Sequence, residues 1–131
     1  MSEQTSNAMD KTPGIFSWNE LMTRDAGASA KFYTALFGWA REDMNMGDFT
    51  YTMFKSGDRA VGGMIVLPPE AASMPGMWMG YVTVENLEAS VAKAEELGAK
   101  VLKEITNIEM GRFAILADPQ GAVIGLWQFT S

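Results

Sequence analysis

Ala122-Val123-Ile124-Gly125-Leu126, near the end of the chain, echoes Ala60-Val61-Gly62-Gly63-Met64, 62 positions earlier. A unit used twice must reach the same topology in both halves, so this echo limits the fold more than any other feature. The helix signals repeat at nearly the same offset. Asp25 matches Asn86 and Ala28-Ser29 matches Ala89-Ser90, 61 apart, and Gly38 matches Gly98, 60 apart. Asp and Asn are N-cap residues and Gly is a C-terminal stop. Each half therefore reads strand, helix, strand, strand, strand.

In the first half the pattern predicts a strand over 16–22, a helix over 26–37 and strands over 39–44, 49–55 and 60–67. Ala30, Tyr33, Ala35 and Leu36 form that helix's expected buried stripe. In the second half it predicts a strand over 77–84, a helix over 87–97 with Leu87, Val91, Ala94 and Leu97 on one face, and strands over 100–105, 109–117 and 122–129. Residues 68–76 carry three prolines and read as a linker. The expected organisation is a single domain over 13–131, with module one at about 14–67 and module two at about 77–130. Residues 1–12 read as a disordered lead, and Ser6-Asn7-Ala8-Met9 resembles the scar of tag cleavage.

Turn chemistry sets the expected registers. Asp118-Pro119-Gln120-Gly121 lies between two apolar runs and makes a hairpin. Closing it on those four residues pairs Ala117 with Ala122, and so sets Ala114 opposite Gly125 and Arg112 opposite Trp127. A two-residue loop at Gly57-Asp58 sets Thr52 opposite Gly63 and Phe54 opposite Val61 in the first module. Opposite residues share a face.

Composition removes several functions. Net charge is −6, which repels nucleic acid and anionic membranes, so neither is expected as a partner. No apolar run approaches a membrane span, and residues 1–13 lack the basic and apolar regions of a signal peptide. A cytoplasmic location is the expectation. The chain has no Cys and no His, which removes thiolate chemistry, the commonest general base and the commonest transition-metal ligand. Any metal site must then be all oxygen. Eleven Met read first as adaptable core filler, and second as a plastic apolar binding surface.

Two βαβββ modules in about 130 residues resemble the vicinal oxygen chelate superfamily, the glyoxalase, bleomycin-resistance and extradiol-dioxygenase group. Asp25 followed by Phe32-Tyr33 and Leu36-Phe37-Gly38-Trp39 looks like the family's opening motif. Tyr81-Val82-Thr83-Val84-Glu85-Asn86 looks like its second entry strand, and Asp118-Pro119-Gln120-Gly121-Ala122 like its closing hairpin. The likeness covers 13–129 and points to the single-domain, glyoxalase-like proteins often labelled hydroxylases. It implies an α+β fold, a cupped mixed sheet made by the two modules. In the family's metal-dependent members each module gives two ligands to one divalent ion. The matching positions are Trp18 and Gly63 in one half, Met79 and Gly125 in the other. None of these can hold a hard cation. No metal and no cofactor are expected, and the family's metal chemistry does not carry over.

Strand alternation then fills the expected cup. Trp18, Glu20, Thr52, Met79, Tyr81, Arg112 and Trp127 are the candidate ligand-binding residues, with Gly63 and Gly125 leaving space. The opposite face is expected to carry Leu21, Val82, Val84, Phe113, Ile115, Ile124 and Leu126 under the helices. Two readings of the cup stay open. It is a small-molecule pocket of aromatic walls and few polar groups, or a filled second core in which Glu20 and Arg112 satisfy one another. Three functions follow. The first is metal-free binding of a small, mainly apolar or aromatic molecule. The second is a metal-independent isomerase or lyase with Glu20 as base. The third is a protein-interaction module. A homodimer is expected under each.

Overall fold

The computed structural model describes residues 11–67, 69, 73–108 and 110–130. Most of the predicted lead, and residues 68 and 70–72 of the predicted linker, lie outside the described residues. Ten elements follow in order: β1 (Phe16–Thr23), α1 (Ala26–Phe37), β2 (Ala40–Asn45), β3 (Thr50–Ser56), β4 (Arg59–Val66), β5 (Met77–Thr83), α2 (Leu87–Glu96), β6 (Lys100–Ile108), β7 (Gly111–Ala117) and β8 (Val123–Phe129). This is strand, helix and three strands, twice. No helix among the described residues is long and apolar enough to cross a membrane.

The chain divides into two compact units, the first built on Asn19–Trp78 and the second on Met79 onward together with the segment that ends at Trp18. In the first unit the strand order is β2-β3-β4-β1, and β1 runs parallel to β4 with Glu20 opposite Gly63. In the second the order is β6-β7-β8-β5, and β5 runs parallel to β8 with Tyr81 opposite Gly125. The remaining neighbours in each unit are antiparallel. The parallel pair closes each module, and the helix lies in the connection that such a pair requires.

Local chemistry explains both helices. The Asp25 carboxylate accepts the Ala28 N–H at 3.0 Å, and the Asn86 side chain accepts the Ala89 N–H at 3.0 Å. Gly38, at φ 72°, ends α1 and donates its N–H to the Thr34 carbonyl. The first core packs Leu21, Ala30, Phe54 and Met64, with Ala26, Tyr33, Trp39 and Val61 partly buried against them. In the second, Leu87 is buried on α2 and Ala114 and Leu116 on β7. The Gln128 side chain accepts the Leu87 N–H at 2.7 Å, tying the start of α2 to β8.

Two stripes are narrower than expected. Leu36 is 58% exposed and Leu97 66% exposed, so neither joins its core. The last turn of α1 packs by aromatic contact instead: Phe37 stacks on Tyr33 and lies tilted against Trp39, with centroids at 6.3 and 4.9 Å.

Candidate functional site

The closing hairpin decides which side chains share a face in the second module. The Asp118 N–H donates to the Ala122 carbonyl at 2.7 Å, and the Gly121 N–H returns to the Asp118 carbonyl at 2.9 Å. Asp118 is thus paired, the connection is the three residues Pro119–Gly121, and Gly121 takes the left-handed conformation at φ 92°. Ala117 lies opposite Val123, not Ala122, and every pair down the ladder moves by one. Arg112 lies opposite Gln128, and Phe113 opposite Trp127.

This overturns the placement of Arg112. It shares a face with Gln128, the residue that holds α2, and its guanidinium grips Glu88 on that helix through two hydrogen bonds, one of them 2.9 Å. Its Nε donates to Asn107 Oδ1 at 2.8 Å. Arg112 therefore clamps α2, and the expected ion pair with Glu20 gives way to one with Glu88. That hydrogen bond holds the Glu88 carboxyl well below its usual range, at about 2, and raises the Arg112 pKa in turn. Phe113 and Ile115 move the other way, onto the face of Gly125 and Trp127.

Thr52 is the second correction. The Gly57-Asp58 loop forms as expected, with Ser56 opposite Arg59. A bulge then places one extra residue, Val61, on β4, so Phe54 meets Gly62 and Thr52 meets Met64. Thr52 is buried on the helix side with Phe54 and Met64, and its hydroxyl donates to Asp43 Oδ1 at 2.7 Å. That bond is the main reason the Asp43 carboxyl titrates below its ordinary value.

The remaining candidates lie on the faces turned away from the helices. In the second module Met79 and Tyr81 are buried on β5. On their face Gly125 and Trp127 stand on β8 and Phe113 and Ile115 on β7. Tyr81 meets Phe113 edge to face at 6.1 Å, and Trp127 meets Phe129 the same way at 5.6 Å. Trp18 is half-buried at the start of β1. In the first module Glu20, 5% exposed, is opposite Gly63 on one side, and Met53 is opposite it on the other.

Neither glycine leaves space. A Cβ on Gly63 would collide with the Tyr51 hydroxyl, and one on Gly125 with the Tyr81 ring. A tyrosine thus covers each last-strand position where a metal-dependent relative would carry a ligand. Trp18 and Met79 supply no hard donor either. Among the described residues no three His, Cys, Asp or Glu side chains converge on a point. The residues present do not fit the family's divalent ion.

Among the described residues, three buried polar atoms have no hydrogen-bond partner: Ser17 Oγ, Thr83 Oγ1 and Trp127 Nε1. Leaving such an atom unsatisfied costs about 1–3 kcal/mol. Thr83 and Trp127 are directly opposite one another on β5 and β8. Two clefts open on the helix sides. One, about 400 Å³, is lined by Tyr33, Phe37, Trp39 and Trp78 with Asn19 and Val61. The other, about 570 Å³, runs beneath α2 over Val82, Leu116 and Leu126. Residue alternation along β5 sets Thr83 on the face of Tyr81. It missed Tyr51, whose only signal is its place two residues before Met53.

Two βαβββ modules, each closed by a parallel strand pair, define a glyoxalase-like fold. Residues 15–126 match the Glyoxalase/Bleomycin resistance protein/Dioxygenase superfamily, and the chain belongs to that family. It is 37% identical over 119 residues to a Mycobacterium tuberculosis protein named "Putative glyoxylase CFP32", covering 88% of this chain and 46% of that protein. It is 32% identical over 130 residues to the anthracycline biosynthesis protein DnrV of Streptomyces peucetius, covering 88% of this chain and 47% of DnrV. The chain thus spans about half the length of these relatives. Among solved structures it resembles the hypothetical protein BH1468 of Bacillus halodurans, with TM-score 0.61, 10% identity, and 92% and 97% of the two chains covered. It also resembles methylmalonyl-CoA epimerase of M. tuberculosis, with TM-score 0.59, 13% identity, and 95% and 93% covered. Both likenesses are of fold.

Proposed function

We propose that this chain binds a small, mainly apolar or aromatic molecule without a metal ion, on the face of the second module made by Met79, Tyr81, Thr83, Phe113, Ile115 and Trp127. The observation that carries the reading is the replacement of the family's donor positions. Tyrosines cover Gly63 and Gly125, and Trp18 and Met79 cannot ligate a hard cation. The same substitutions turn a metal-binding surface into an aromatic and thioether one, the kind of lining that holds small organic molecules. Relatives named as a glyoxylase and for anthracycline biosynthesis are in keeping with small organic ligands. The protein works as a homodimer in this reading, in the cytoplasm.

Native mass spectrometry of freshly purified protein tests it. A retained small organic mass, lost on denaturation, is the expected result; a stoichiometric divalent ion overturns the reading. A second reading makes the protein a metal-independent isomerase or lyase with Glu20 as general base. The burial of Glu20 opposite Gly63 favours it. Turnover of a retained ligand, abolished in Glu20→Gln, would establish that reading over simple binding.

A further inference from the structure

The outer face of α1 reverses the usual pattern of a surface helix, which turns charged and polar residues to solvent. Its exposed positions are Gly27, Ala28, Lys31, Phe32, Ala35 and Leu36, with Phe37 at the end. Phe32, Leu36 and Phe37 are each more than half exposed, and Lys31 is the only charged residue of the helix. The second helix keeps the usual pattern. Counted from the N-caps Asp25 and Asn86, Gly27, Phe32 and Ala35 correspond to Glu88, Lys93 and Glu96, all of them exposed. The repeated fold therefore does not require apolar residues at these positions, yet α1 carries them.

The apolar surface is continuous. Phe32 meets Tyr33 edge to face at 4.9 Å, Tyr33 meets Trp78 the same way at 5.3 Å, and Trp78 is itself 40% exposed. With Leu36 and Phe37 these side chains leave about 400 Å² of apolar surface in water, the size that marks an interaction site. A second copy of this chain is the occupant the face fits. Net charge of −6 makes two copies repel, and α1 holds no carboxylate, so they approach here at least cost. The face also matches itself in shape. Ala28, Phe32 and Leu36 form one row at i, i+4 spacing. A two-fold axis at Phe32 sets two α1 helices antiparallel and puts Leu36 of each against Ala28 of the other, large against small. The relatives named above carry a further stretch of comparable length beside the half that matches, and a second copy is a body of that size.

We infer that two copies of this chain pair through the outer faces of their α1 helices, with Phe32 and Leu36 at the centre of the contact. This gives the homodimer proposed above its interface, and it rests on that part of the reading and not on the ligand.

Sedimentation velocity of the full chain over a concentration series tests the pairing. The unaltered chain is expected to run at the mass of two chains. Phe32→Glu and Leu36→Glu should each raise the dissociation constant of the dimer about a hundredfold, because each buries an unpaired carboxylate in the contact. Leu97→Glu, at the matching position of α2 and 66% exposed, should leave it unchanged. A cross-link reads the axis without a charge change. The chain has no cysteine, so under mild oxidation Phe32→Cys should join two chains through that one residue, and Leu97→Cys should not. A dimer that neither Phe32→Glu nor Leu36→Glu weakens, or that Phe32→Cys does not link, overturns the α1 interface and leaves the homodimer standing. A chain that stays monomeric up to millimolar concentration overturns the homodimer and the interface with it, and leaves the ligand reading untouched.

Discussion

A methyl group added at Gly125 would run into the body of the Tyr81 ring, and one at Gly63 into the tip of Tyr51. The two collisions differ in how easily they are relieved. Tyr81 is 3% exposed and is struck close to its Cγ, so it has nowhere to go; Tyr51 is struck at its hydroxyl, and the far end of a half-buried side chain can swing. Gly125→Ala should therefore cost about 1–3 kcal/mol, the usual penalty of overpacking, and Gly63→Ala less. Urea unfolding of both variants checks the order, and the penalty of Gly125→Ala should shrink when it is measured in a Tyr81→Ala background. Glu88 gives a prediction of a different kind. Its folded pKa, about 2, lies below the ordinary 4.5. A depressed carboxylate contributes stability above its unfolded pKa and loses it as pH falls through the folded value. The protein should lose this contribution between about pH 4.5 and 2, and Glu88→Gln should flatten that part of the stability curve in unfolding titrations at graded pH. The pair is exposed, so salt should weaken the effect.

At the scale of elements, what was legible in the sequence was whatever short-range chemistry fixes. Asp25, Gly38 and Asn86 cap their helices with their own atoms, and the sequence placed α1 at the residues where it lies and α2 within one. The order of elements along the chain followed from the repeat. The faces of the sheets were less legible, because a face depends on counting residues in a turn, and one residue inverts it. Asp-Pro-Gln-Gly was read as the loop. Asp118 lies just past β7 but carries on its pairing, because its N–H donates to the Ala122 carbonyl and its carboxylate accepts the Gln120 and Ala122 N–H groups at 2.8 and 2.9 Å. That single residue sent Arg112 to α2 and brought Phe113 to Trp127. The bulge at Val61 did the same to Thr52. The parallel pairs escaped the error, so Tyr81 stands beside Gly125 and Glu20 beside Gly63. Gly121, at φ 92°, sets this register. Gly121→Ala should lose about 1–2 kcal/mol, the cost of holding a side chain in the left-handed region, measured by chemical denaturation. An unchanged midpoint would mean that the turn does not hold the hairpin.

Across the whole molecule, the two modules keep one topology while their chemistry diverges. Both are closed by a parallel pair whose first registered position holds a glycine, and both cover that glycine with a tyrosine. The first retains a buried carboxylate, Glu20; the second offers aromatic rings with two unpartnered hydrogen-bonding atoms. The duplication therefore fixes the architecture and leaves the chemistry to the side chains that replaced the metal ligands. We propose that this replacement ended divalent metal binding. The most direct test is elemental analysis of the full chain after equilibration with magnesium, manganese, zinc and nickel salts and dialysis into metal-free buffer. Only a small fraction of one metal ion per chain is expected for every salt. One ion per chain retained through dialysis, with a rise in melting temperature, would contradict it.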